Sequence, residues 1–158
     1  MDKIRSPKNQ SDLRRLCVAL LLSALWLAGC GASKFEPVEI AAEDMCALCK
    51  MAISEKQYAA EFLDRDGDAF KFDDIGCLEN RLKTRQNRRD IAALYVVDYD
   101  SRQWVNAEQA YFVRSEEFKT PMSGRVVAFK DRSRAEEAAA KYHGKPLGFD
   151  EVFGGAGK

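Results

Sequence analysis

The 158-residue sequence has one histidine, four prolines and no apolar run long enough to cross a bilayer. A single imidazole, His143, excludes any mechanism that needs two. Its 25 Lys+Arg balance 25 Asp+Glu, so the basic excess that an electrostatic nucleic-acid binder needs is missing. Four prolines among ten glycines exclude collagen-like and low-complexity classes. No general acid–base pair and no nucleophile–base constellation is visible, so no catalytic residue and no enzyme activity are expected. What is present is 46% hydrophobic residues, enough to bury the core of one domain or two very small ones.

The first thirty residues read as a targeting segment. Lys3, Arg5, Lys8, Arg14 and Arg15 precede a twelve-residue apolar stretch over 16–27. A span needs about 20 residues, whereas this stretch has the length of a signal-peptide core. The stretch ends in Leu27-Ala28-Gly29-Cys30, which resembles a bacterial lipobox. Residues 1–29 are therefore expected to be a signal peptide, with lipidation of Cys30 and residues 30–40 as a tether. Export by the general secretion route is expected. Removing the leader takes five basic and two acidic residues and leaves a formal charge of −3. Two or more acyl chains suffice for stable attachment where one is marginal.

Beyond the tether, the pattern predicts an α+β fold of two small ββαβ units, over 41–100 and 101–158. In the first, strands are expected at 58–63 and 69–72, around an Asp66-Gly67 hairpin turn. Phe70 and Phe72 share one strand face. Asp73 and Asp74 offer N-cap chemistry for a helix over 75–86, followed by a strand at 91–99. In the second, strands are expected at 110–114 and 125–130. Ser133-Arg134-Ala135-Glu136 then reads as a capping box opening a helix to His143, which caps its end. Residues 147–153 are expected to extend as a last strand.

Five cysteines reduce to three usable thiols, because Cys17 leaves with the leader and Cys30 is lipidated. Cys46, Cys49 and Cys77 cannot all pair within one chain, and a leftover thiol in an exported protein points to reactivity, metal binding or an intermolecular bridge. Met45-Cys46-Ala47-Leu48-Cys49-Lys50-Met51 holds two thiols and two thioethers. That soft donor set favours Cu(I) over zinc. A zinc site from Cys46, Cys49, Cys77 and His143 is an irregularly spaced alternative. So are a Cys46–Cys49 redox couple, although no core strand precedes Cys46, and a structural Cys46–Cys49 disulfide. Cys77 falls in the first turn of the predicted helix, where the helix N-terminus favours a thiolate and Asp73 and Asp74 oppose it. Gly76 within that turn hints at close backbone approach. Thr120-Pro121-Met122-Ser123-Gly124 presents a methionine on a turn. Asp64-Arg65-Asp66-Gly67-Asp68 lacks the glycine position of a calcium loop and reads as a turn.

Taken in order, the lipobox, Cys-x-x-Cys-x-Met, Phe72-Asp-Asp-Ile-Gly-Cys77 and Thr120-Pro-Met122 resemble the NosL family of nitrous-oxide-reductase accessory lipoproteins. Trp104, Tyr111-Phe112-Val113, Ala128-Phe129 and an Ala-rich helix extend the agreement. The resemblance implies a lipid-anchored, periplasm-facing Cu(I) chaperone that delivers copper for the copper–sulfide centre of nitrous oxide reductase. A membrane transporter and a periplasmic protein are its implied partners. The family's Met-Cys-Gly-Met core falls on residues 48–51, where Cys49 and Met51 match while Leu48 and Lys50 depart. The implied metal ligands are Cys49, Met51, Met122 and Cys46, with Met45 and Cys77 as additional candidates.

Overall fold

The computed structural model describes residues 35–84 and 89–154. The expected leader, with Cys17, and the expected lipidation site Cys30 lie outside the described residues. Nine regular elements follow in chain order: β1 (Ala60–Asp64), β2 (Ala69–Phe72), α1 (Ile75–Thr84), β3 (Ile91–Val97), β4 (Trp104–Asn106), β5 (Tyr111–Arg114), β6 (Val126–Phe129), α2 (Arg132–Lys141) and β7 (Lys145–Leu147). They build two antiparallel sheets, ordered β2-β1-β3-β4 and β6-β5-β7. The expected ββαβ order is thus present twice, with β4 as an extra edge strand on the first sheet.

The first hairpin forms because Asp64 accepts the backbone N–H groups of Asp66 and Asp68 at 3.0 and 2.9 Å, and Gly67 takes φ 95°. An Asx turn of this kind stands in for backbone pairing. Across the hairpin Phe62 pairs with Phe70, and their rings stack at 4.6 Å. Phe62 also tilts against Phe72 at 5.8 Å. α1 buries Ile75, Leu78 and Leu82 at helical spacing, in one cluster with Phe62, Phe72, Val96, Phe112, Val126, Leu147 and Phe153. The two sheets and α1 therefore share a core, to which each fully buried Phe or Leu contributes about 2–3 kcal/mol. A bridge between Asp98 and Ala128 joins the sheets. A second cluster lies under α2, where Ala135, Ala138 and Ala139 let the helix sit close to Val113, Val127 and Phe129.

Three expectations are corrected here. Ser133 does not cap α2: the N-cap is Asp131, without a side-chain bond, and Ser133 lies inside the helix. The helix ends by backbone geometry instead, with Gly144 N–H on Ala139 O at 2.8 Å and His143 at φ 47°, the bond pattern of a Schellman motif. His143 bonds Glu117 through Nδ1 at 2.7 Å rather than capping with its side chain. The last strand stops at Leu147, and Asp150–Gly154 forms a wide π-helical turn. That turn folds Val152 and Phe153 back into the core, where Phe153 packs edge-on against Phe112 at 5.6 Å.

Residues 35–40, expected as the end of the tether, lie along the first sheet. Tyr95 Oη donates to Phe35 O at 2.8 Å, Val38 N to Glu61 Oε1 at 3.0 Å, and Lys71 and Lys56 to the carbonyls of Glu39 and Ile40 at 2.6 Å each. Glu61 is buried, and desolvation pushes its carboxyl up to about 6.

Candidate metal centre

Residues 45–52 fold into a closed turn before β1. Met45 bridges Ala52, Cys46 N–H donates to Met51 O at 2.8 Å and Lys50 N–H to Cys46 O at 3.1 Å. Closing the turn puts Lys50 at φ 65°, in the left-handed region that glycine enters without cost. The Lys50 ammonium folds back onto Ala47 O at 3.1 Å. Ala47 N–H donates to Lys71 O at 2.8 Å, which docks the turn on the end of β2.

β2 runs directly into Asp73, Asp74 and α1. Cys77 N–H donates to Asp74 O at 2.9 Å, so the Cys77 thiol sits in the first helical turn, facing the docked loop. One ligand atom from each of Cys46, Cys49, Cys77 and Asp73 lies within 4.8 Å of all the others. Cys46, Cys77 and Asp73 are buried and Cys49 is half-buried. All three thiols are free, so the expected Cys46–Cys49 disulfide alternative is not formed. No histidine joins the cluster, which removes the Cys₃His alternative, because His143 is held by Glu117 on the surface.

The electrostatics of the cluster follow from packing acidic groups together out of water. A hydrogen bond from Cys77 drives the Cys46 thiol well below its ordinary value, and the same bond drives Cys77 up. Burial raises Cys49 and Asp73, and the charge at Cys46 adds to both. Cys49 Sγ donates to Asp73 Oδ2 at 3.4 Å. Asp73 Oδ1 is buried without a hydrogen-bond partner, a costly state in an apolar interior that a cation relieves. Three sulfurs and one carboxylate converging in this way fit a soft or borderline metal ion.

The thioethers are exposed. Met45, Met51 and Met122 are 58%, 55% and 43% exposed. Met45 and Met51 flank the closed turn. Met122 occupies the apex of the Thr120–Ser123 turn, closed by Ser123 N–H on Thr120 O at 3.1 Å. The structure thus gathers Cys46, Cys49 and Cys77 into one nest and leaves the methionines at the surface.

Sequence reasoning assigned both Asp73 and Asp74 to the helix cap. Only Asp74 has that role, with Oδ1 accepting Gly76 N–H at 2.6 Å. Asp73 turns to the thiols. Two consecutive acids exceed what one cap requires, and that surplus was the available signal.

The sequence matches the profile of the NosL family over residues 37–155. Among solved structures, the chain is similar to the crystal structure of the copper chaperone NosL from Shewanella denitrificans. The identity is 22%, the match covers 74% of this chain and 95% of that one, and the TM-score is 0.66. That likeness establishes the fold. No curated protein matches the sequence.

Proposed function

Because this chain belongs to the NosL family, we propose that it carries Cu(I) as cargo in the cell envelope. It would act as a lipid-anchored chaperone facing the periplasm, in the assembly of the copper–sulfide centre of nitrous oxide reductase. A membrane transporter and a periplasmic partner would supply or receive the ion. The observation that carries the reading is the convergence of Cys46, Cys49, Cys77 and Asp73 within 4.8 Å. The solved structure that the chain resembles is that of a copper chaperone, which supports the choice of ion.

The arrangement suits transfer. Cys46 and Cys77 form a buried floor, while Cys49 is half open and the methionines are exposed at the surface. Cu(I) is satisfied by two or three soft donors, so an incoming thiolate or thioether can add at Cys49 before an inner thiol lets go. Cys49, Met51 and Met122 are the proposed exchange ligands, Cys46 and Cys77 the retaining ones, and Met45 a further surface donor. Confining the chain to a membrane surface raises its effective concentration near an anchored partner.

The thiol–disulfide reductase reading needs only Cys46 and Cys49. It leaves the third thiol and the buried carboxylate against that pair without a role, and the pair lies on a turn rather than at a helix N-terminus. Anaerobic Cu(I) competition titration of the reduced protein tests the choice. Tight one-to-one binding is expected, weakened about tenfold in Met51→Ala and about 100-fold or more in Cys46→Ser, that is about 1.4 and 2.7 kcal/mol. Absence of tight binding by the reduced chain overturns the reading and leaves the Cys46/Cys49 redox couple.

A further inference from the structure

Asp74 is fully buried, and both its oxygens are occupied. Oδ1 accepts Gly76 N–H at 2.6 Å within α1. Oδ2 faces the other ββαβ unit, where Thr120 Oγ1 donates at 2.6 Å, Met122 N–H at 3.0 Å and Gly124 N–H at 3.2 Å. Thr120 Oγ1 in turn accepts Arg125 N–H at 3.0 Å, so the loop is stitched at both ends. The backbones touch as well: a Cβ on Gly76 would lie 2.7 Å from Gly124 Cα, and one on Gly124 would lie 2.8 Å from Gly76 Cα. Glycine at both positions is what allows the loop to reach the helix. Pro121 stiffens the turn just before Met122.

Asp74 is flanked by Asp73 and, three residues on, by Cys77, both members of the thiol cluster. One buried carboxylate therefore links the turn of chain that holds two cluster donors to the turn that presents Met122, 48 residues away in sequence. We propose that Asp74 is the positioning residue that makes Met122 a copper ligand: its clamp on the Thr120–Gly124 loop sets the thioether at the edge of the thiol site. This rests on the Cu(I) reading above. Without the clamp, three backbone or hydroxyl donors lose a buried acceptor and the loop is no longer fixed. Met122 would then be a solvent-exposed side chain with no defined relation to the cluster.

The discriminating experiment is a double-mutant cycle on Cu(I) affinity, using the full chain with Asp74→Asn, Met122→Ala and the pair, plus Thr120→Val as an independent break of the clamp. Thr120→Ser serves as the conservative rescue. Circular dichroism and thermal melts identify any variant that fails to fold. Met122→Ala and Asp74→Asn are each expected to weaken Cu(I) by about tenfold, and the pair by no more than either alone, because Asp74 acts through Met122. Thr120→Val should resemble Asp74→Asn, and Thr120→Ser should bind as the native chain does. In methyl-labelled methionine spectra, Cu(I) should shift the Met122 signal in the native chain and leave it unmoved in Asp74→Asn, with the Met51 signal shifting in both.

Losses that add in the double variant, or a Met122 signal that still moves in Asp74→Asn, overturn the positioning role alone. An unchanged affinity in Met122→Ala overturns it together with Met122 as a ligand, while Cys46→Ser still reports on the thiol site. No Cu(I) binding by the native chain overturns the functional reading itself.

Discussion

The two ββαβ units repeat one order of elements and part company at the first turn of their helices. Residues 73–78 at the start of α1 are all buried, with one carboxylate on the thiols and the next on a distant loop. Residues 131–134 at the start of α2 are all exposed, and their charges pair at the surface. Arg132 bonds Glu136 at 2.8 Å, and Arg134 bonds Asp100 at 2.9 Å. Both termini present the favourable end of a helix dipole. Only the first is covered by chain from elsewhere, the 45–51 turn on one side and the 120–124 loop on the other. A helix start gains site chemistry here by being enclosed, since enclosure strips water from its acids and thiols and brings other donors against them.

That contrast can be broken most severely at the caps. Asp74→Ala removes the acceptor of four hydrogen bonds, two of them fully buried, and is expected to destabilise the chain by about 3 kcal/mol. Asp131→Ala should stay within about 0.5 kcal/mol, because no side-chain bond is lost at an exposed position. Urea denaturation of the two variants measures both. Comparable losses would show that the Asp74 bonds are not supporting the fold.

A smaller effect is expected from glycines. Gly76→Ala drives a methyl into the Gly124 backbone and should cost about 2 kcal/mol. Gly148→Ala meets nothing within 4 Å, so its melting curve should overlay that of the native chain.

The smallest contrast lies in the sheets. The inner strand β1 of the first sheet buries Glu61, whereas the middle strand β5 of the second buries Phe112 and Val113. The folded-state carboxyl of Glu61 is raised to about 6 from an ordinary 4.5. The native state therefore holds this proton more tightly than the unfolded chain. The resulting stability is complete below pH 4.5 and is lost as pH rises through 6. Glu61→Gln keeps an acceptor for Val38 N–H without a charge. It is expected to be about 1 kcal/mol more stable than the native chain at pH 8 and level with it at pH 4. Thermal melts at the two pH values decide this, and an equal difference at both removes Glu61 as the cause.

Local chemistry was legible where a few adjacent residues suffice. The Asp66-Gly67 hairpin, the shared face of Phe70 and Phe72, the start of α1 and the close approach at Gly76 all follow from neighbours in sequence. The Ser133 capping box misled because the pattern fits a helix start equally well two residues later. Phe153 looked like strand and became a core residue of a turn, because Phe112 offered an apolar partner that no local pattern encodes. β4 is three residues long, too short for periodicity to register, and exists by pairing with β3.

By itself, the sequence determined the donor inventory of the described residues: thiols at 46, 49 and 77, one imidazole, and thioethers at 45, 51 and 122. It also determined the order of the elements, since strand and helix periodicity are short-range properties. Tertiary structure alone decided which donors meet. Cys49 and Cys77 are 28 residues apart in sequence, and only docking of the 45–51 turn on β2 closes that gap. It likewise divided two adjacent aspartates between two tasks. Successive side chains leave the backbone in different directions, so Asp73 reaches the thiols while Asp74 reaches the Met122 loop.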